Sequence, residues 1–85
     1  QMVISSLVVE AVPEYVDDVV AHLRQMDGVE VHSIEGYKVV ITIEAETVDD
    51  SHAIANSIIP VTGVIGVNLI YFNFEDDKTI YPDGV

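Results

Sequence analysis

Three imidazoles (His22, His32 and His52) and two adjacent carboxylate pairs (Asp17-Asp18 and Asp49-Asp50) are the residues of this 85-residue chain whose chemistry could go beyond packing. Asp49 and His52 stand three apart, a spacing that brings two metal ligands to one face of a helix. A metal centre needs three or four converging donors, and the three histidines fall on three different predicted elements. A solvated helix face therefore accounts for the pair. The twin acids could share general acid and base work, but both pairs lie near predicted helix starts, where the helix dipole and water explain them. There is no Ser/His/Asp order, no glycine-rich phosphate loop and no G-x-S-x-G elbow. The absence of cysteine excludes disulfides, zinc ribbons and thiol redox chemistry. We expect no enzyme, no metal and no cofactor.

Charge says more about partners. Fifteen carboxylates against three Lys/Arg give a formal charge of −12. Without the last eleven residues, eleven acids still face two basic residues. Such a surface repels phosphate backbones and anionic lipid and draws cationic peptides; acidity as mere solubility is the plainer alternative. The 49% hydrophobic content and regular alternation indicate a folded domain. No apolar run approaches the length of a membrane span, and no basic segment precedes an apolar stretch as in a secretory signal. Met2, after a lone Gln1, reads as the native start. A cytoplasmic protein without membrane insertion is expected.

The elements that must position any site come as strand–helix–strand, written twice. Met2–Ala11 is a Val/Ile/Leu-rich strand. Pro13 suits the first turn of a helix whose apolar stripe is Val16, Val19, Val20, Leu23 and Met26, and Gly28 caps its end. Val29–Ile34 and Lys38–Glu44 form a hairpin. A three-residue loop, Glu35-Gly36-Tyr37, sets Val31 against Ile41 and Val29 against Ile43, keeping apolar with apolar. Thr47-Val48-Asp49-Asp50 resembles a capping box. The second helix turns Val48, Ile54, Ala55 and Ile58 inward, and Pro60 should stop or kink it near Ile59. A last strand spans about Val67–Phe74. We expect an α+β domain over 1–75 and a solvated acidic tail over 76–85.

Two such units give a four-stranded sheet in the order 4-1-3-2, antiparallel except for a parallel central pair, with both helices on one face. Val39, Ile41 and Ile43 must face the helices, because Lys38, Thr42 and Glu44 alternate with them. Leu7, Val9, Val29, Val31, Val67 and Leu69 join that core. The opposite face then carries Ile4, Ser6, Val8, Glu10, Glu30, His32, Ile34, Lys38, Val40, Thr42, Glu44, Asn68, Ile70 and Phe72. Its centre is apolar (Val8, Val40, Ile70, Phe72) and its ends acidic (Glu10, Glu30, Glu44). Such a surface suits an amphipathic basic helix laid across the sheet, with Ser6, Thr42 and Asn68 as hydrogen-bonding neighbours. Alternatively it closes a homodimer or simply faces water. An RNA-recognition module of this topology would need stacking aromatics on the middle strands and basic charge, and neither is present.

Three segments resemble a known family. Ser5-Ser6-Leu7-Val8-Val9-Glu10-Ala11 is similar to its first strand. Gly28-Val29-Glu30-Val31 with Lys38-Val39-Val40-Ile41-Thr42-Ile43-Glu44-Ala45-Glu46 is similar to its hairpin, and Gly63-Val64-Ile65-Gly66-Val67-Asn68-Leu69-Ile70-Tyr71 to its closing segment. That family is NapD, cytoplasmic maturation chaperones of the periplasmic nitrate reductase. The resemblance implies a ferredoxin-like fold without iron–sulfur and no enzyme activity. It also implies binding to the twin-arginine signal peptide of the molybdenum-containing catalytic subunit, delaying export until cofactor insertion and folding are complete. A monomer or weak homodimer is expected. The competing readings are an ACT-like small-molecule regulatory module, for which Val12-Pro13-Glu14 is not a ligand loop, and a structural dimerisation domain using the sheet face or the last strand.

Overall fold

A computed structural model describes residues 2–74, without the side chains of 71–74; the tail expected over 76–85 lies outside the described residues. Five segments set the framework: β1 (Val3–Ala11), α1 (Val16–Arg24), β2 (Val29–Glu35), β3 (Lys38–Ala45) and α2 (Val48–Ile58). The chain closes with β4 (Val64–Phe74). The sheet order is β2-β3-β1-β4, the expected order read from the other edge. Pairing brings the first and last strands together, with Val3 opposite Phe74. Every neighbouring pair is antiparallel, the central β1/β3 pair included. The parallel central pair expected from sequence is thus corrected. The crossover through α1 makes β2 run with β1, and the hairpin then reverses the chain, so β3 must oppose β1.

The chain enters α1 through a 3-10 turn at Pro13–Tyr15, where proline's missing N–H is harmless. Val19, Val20 and Leu23 of α1 and Ile58 of α2 are buried against Leu7, Val9, Val39, Ile41 and Ile43. The Asp50 backbone N–H donates to Thr47 Oγ1 at 3.0 Å, so the predicted cap opens α2. Helix α2 ends at Ile58, two residues before Pro60.

The sequence reading missed one core contact. Ser5 of β1 and Ser51 of α2 are both fully buried, and their hydroxyls share a hydrogen bond of 2.7 Å. Each hydroxyl is the other's side-chain partner, so truncating one leaves a buried hydroxyl unsatisfied. Ser51→Ala is expected to lower stability by about 1–3 kcal/mol. The double Ser5→Ala/Ser51→Ala variant should lie closer to the parent, since both polar groups then go together. Urea denaturation of the three variants checks this.

Candidate functional site

With both helices on one side, the other side of the sheet has no helical layer. Register builds it in rows. The first row is Glu44 of β3 and Ile4 of β1. The second is Glu30, Thr42 and Ser6; the third is Ser33, Val40, Val8 and Asn68. The fourth is Glu35, Lys38, Glu10 and Gly66. Ile4, Ser6, Val8, Val40 and Thr42 are half-buried without any helix above them, whereas Glu30, Glu44 and Asn68 are exposed. Val8 and Val40 are direct cross-strand neighbours and form the middle of the face. From Ile4 to Glu10 the face runs about 20 Å at the usual strand rise.

At one end the face opens into a groove of about 510 Å³ lined by Ile4, Gly28, Val29, Glu30, Thr42 and Glu44. Glu30 and Glu44 are diagonal neighbours across β2 and β3, so their Cβ atoms lie roughly 7 Å apart. Gly28 and Glu44 also line a second groove of about 410 Å³, which carries Asp27, Glu46 and Asp50 round the end of the sheet. Gly28 makes this corner possible. It has φ +82°, its carbonyl accepts the Glu44 N–H at 2.7 Å, and a Cβ there would stand 2.8 Å from the Glu44 carbonyl oxygen.

The opposite end is different. Lys38 Nζ lies 3.9 Å from Glu10 Oε2, a solvent-exposed pair that contributes little to stability. Glu10, one of the acidic residues expected to border a basic helix on this face, is thus shared with a lysine. Beside the groove, His32 Nε2 and Thr42 Oγ1 are hydrogen-bonded at 2.8 Å, and the same nitrogen is 4.0 Å from Glu30 Oε1. His32 thereby belongs with the acidic end; the sequence offered it as an imidazole on this face but not as a partner of Thr42 and Glu30. Gly28 was legible only as a helix cap. Among the described residues, no three His, Asp or Glu side chains gather to hold a metal.

Two bulges correct the expected faces. Between Val31 and Ser33 the register of β2 shifts at His32, so Val31 does oppose Ile41 and Val29 does oppose Ile43. The loop, however, is the two residues Gly36-Tyr37, closed by the pair Glu35–Lys38, and not three. Gly36 takes φ +65° at the first central position, where a two-residue hairpin favours glycine. Beyond the bulge Ile34 stands opposite Val39, on the helix side, and Ser33 replaces it on the open face.

On β4, Leu69 opposes Leu7 while Tyr71 opposes Ser6, leaving Ile70 in a bulge and 56% exposed. The alternation expected through Phe72 is broken there, and Phe72 comes opposite the buried Ser5. Its side chain lies outside the described residues. Leu69, expected in the core, is 51% exposed. Helix α1 packs mainly over β2, and α2 over β3 and β1 with a smaller contact to β4.

Comparison with known proteins agrees with this architecture. The family model described as NapD protein matches residues 2–76. A curated relative, Chaperone NapD of Paracoccus pantotrophus, is 32% identical over 68 residues, covering 80% of this chain. The matched part spans 61% of that relative's own length. Among solved structures, the solution structure of the E. coli Tat proofreading chaperone protein NapD matches with a TM-score of 0.79 at 27% identity. That match covers 96% of this chain and 88% of the other. The relatives carry the name of chaperones rather than of enzymes. With a family model that runs through every strand and helix, and a solved member sharing the same fold, this chain belongs to the NapD family.

Proposed function

We propose that this chain binds the twin-arginine signal peptide of the catalytic subunit of a periplasmic nitrate reductase. Bound in the cytoplasm, the peptide cannot engage the export machinery until molybdenum cofactor insertion and folding are complete. The observation that carries this reading is the helix-free sheet face, with Val8 and Val40 at its middle and the Glu30/Glu44 groove at one end. Four strands about 4.8 Å apart make a platform on which one α-helix, about 10 Å across, can lie. Apolar residues of the peptide would cover Val8 and Val40, and guanidinium groups would meet carboxylates whose fork geometry they match. Thr42 and Ser6 lie within that footprint, and Asn68 borders it on β4.

Calorimetry with a synthetic twin-arginine signal peptide tests it. Binding at micromolar affinity or better is expected, weakening with salt as the charged contacts are screened. Changing Arg-Arg to Gln-Gln is expected to weaken it by tenfold or more, since a hydrogen bond to a charged group contributes about 1.5–3 kcal/mol. No binding by the intact peptide would overturn the proposal and leave the face to contact between two copies of the chain.

A further inference from the structure

The two ends of the open face are electrically unlike, and a helix is unlike at its two ends as well. At one end Glu30 and Glu44 line the groove, and Asp27, Glu46 and Asp50 continue the negative charge round the corner. At the other, about 20 Å away along β1, Lys38 stands between Glu10 and Glu35. Lys38 and Arg24 are the Lys/Arg residues among the described positions, and Arg24 lies on α1. Lys38 is therefore the fixed positive charge of this face.

We propose that the face binds a helical peptide in one orientation, with its N-terminal arginines at the Glu30/Glu44 groove and its C-terminal end over Lys38. This rests on the function proposed above. The free N–H groups of a helix start carry about half a positive charge and the free carbonyls of its end about half a negative one. The carboxylate end thus favours both the arginines and the helix start beside them. Lys38 faces the end with unpaired carbonyls. Reversal would put the two guanidinium groups where Lys38 offsets one of the carboxylates Glu10 and Glu35, and the carbonyl end beside Glu30 and Glu44, which no lysine or arginine among the described residues offsets. At a rise of 1.5 Å, the 20 Å between the ends is spanned by about thirteen helical residues. The docked segment therefore extends roughly thirteen residues from the arginine pair, with its apolar side on Val40 and Val8.

The test uses the whole chain and a synthetic twin-arginine peptide whose helical segment is about thirteen residues, carrying a nitroxide at one end or the other. The N-terminal label should broaden the backbone amide signals of Gly28 and Glu44, and the C-terminal label those of Glu10 and Val39. A reversed pattern, or equal broadening at both ends, overturns the orientation while leaving binding intact. Absence of binding in calorimetry overturns the docking itself, and the orientation with it. A second measurement reads the same question by sign. Lys38→Glu should weaken the peptide about two- to fivefold, the usual worth of a charge at a helix end. In the reversed orientation the new carboxylate would meet the arginines and tighten binding. With a screening length of about 8 Å at physiological salt, a charge 20 Å from the groove has little effect on arginines bound there.

Discussion

A Val40→Asp variant is expected to fold as the parent does and to bind the proposed twin-arginine peptide about a hundredfold more weakly. Val40 is half-buried on the side without helices, between Val8 and Ser33, so aspartate at this position stays hydrated in the free protein. Under a docked apolar helix the same carboxylate loses its water without gaining a partner. The penalty for an unsatisfied buried polar group is about 3 kcal/mol, or roughly two decades of affinity. The sign separates two mechanisms. If binding were charge attraction alone, one more acid on a face that draws cations would strengthen it. Calorimetry reads the affinity, and urea denaturation checks that the midpoint of unfolding has not moved.

Gly63→Ala is expected to be the most damaging small change in the domain, lowering stability by about 3 kcal/mol or more. Gly63 has φ +96°, outside the region that L-residues accept readily, and an added Cβ would lie 2.3 Å from Tyr15 Cβ and 2.8 Å from its Cγ. Relief cannot come from a side-chain rotation, because Cβ is fixed by the backbone. The Gly63 carbonyl also accepts the Val12 N–H at 2.8 Å, so any shift pulls on the exit from β1. Gly36 is the control. It too has positive φ, +65°, yet a Cβ there meets nothing within 4 Å. Gly36→Ala should therefore show the conformational penalty alone, about 1 kcal/mol. Thermal and urea unfolding of the two variants separate strain from collision.

The strand Lys38–Ala45 shows why so much of this architecture could be read in advance. Val39, Ile41 and Ile43 alternate with Lys38, Val40, Thr42 and Glu44, three of them polar, so one face of the sheet declared itself. The pairing of Val31 with Ile41 followed from the same alternation. What did not follow was how the chain reaches that pairing. An odd residue can be placed either in the hairpin loop or inside a strand, and both solutions bring the same apolar side chains together. The chain places it at His32, which carries that imidazole to Thr42 and Glu30 and turns Ile34 to the other side. The same device at Ile70 changes the parity of β4. In Val67–Phe74 every residue is uncharged and most are apolar, so no charge disclosed the slip, and the two asparagines, Asn68 and Asn73, five apart, are a weak trace of it.

The site was legible to a similar depth. Val8, Val40, Thr42, Glu30 and Glu44 share a face because alternation demands it. Their gathering round a groove depends on Gly28, whose carbonyl meets the Glu44 amide across a connection that no local pattern predicts. Lys38 beside Glu10 follows from register, which places them directly opposite, but the register itself required the strand order. Ser5 and Ser51 illustrate the opposite case. Two hydroxyls 46 positions apart in an apolar strand and a polar helix carry no signal that they will meet in the core.

The pairing of Val3 with Phe74 sets a schedule for the life of this domain. Strand β1 lies between β3 and β4 and leaves the ribosome before either, but its second neighbour β4 follows it by more than fifty residues and comes last among the described elements. Contacts 71 positions apart must close before the platform is whole, and such long-range closure is slow compared with helix formation. The surface that would receive another protein's leader therefore exists only after synthesis has passed β4. Ribosome-bound chains arrested before residue 64 should lack protected amides along the β4 side of β1, whereas chains extended well past 74 should show them.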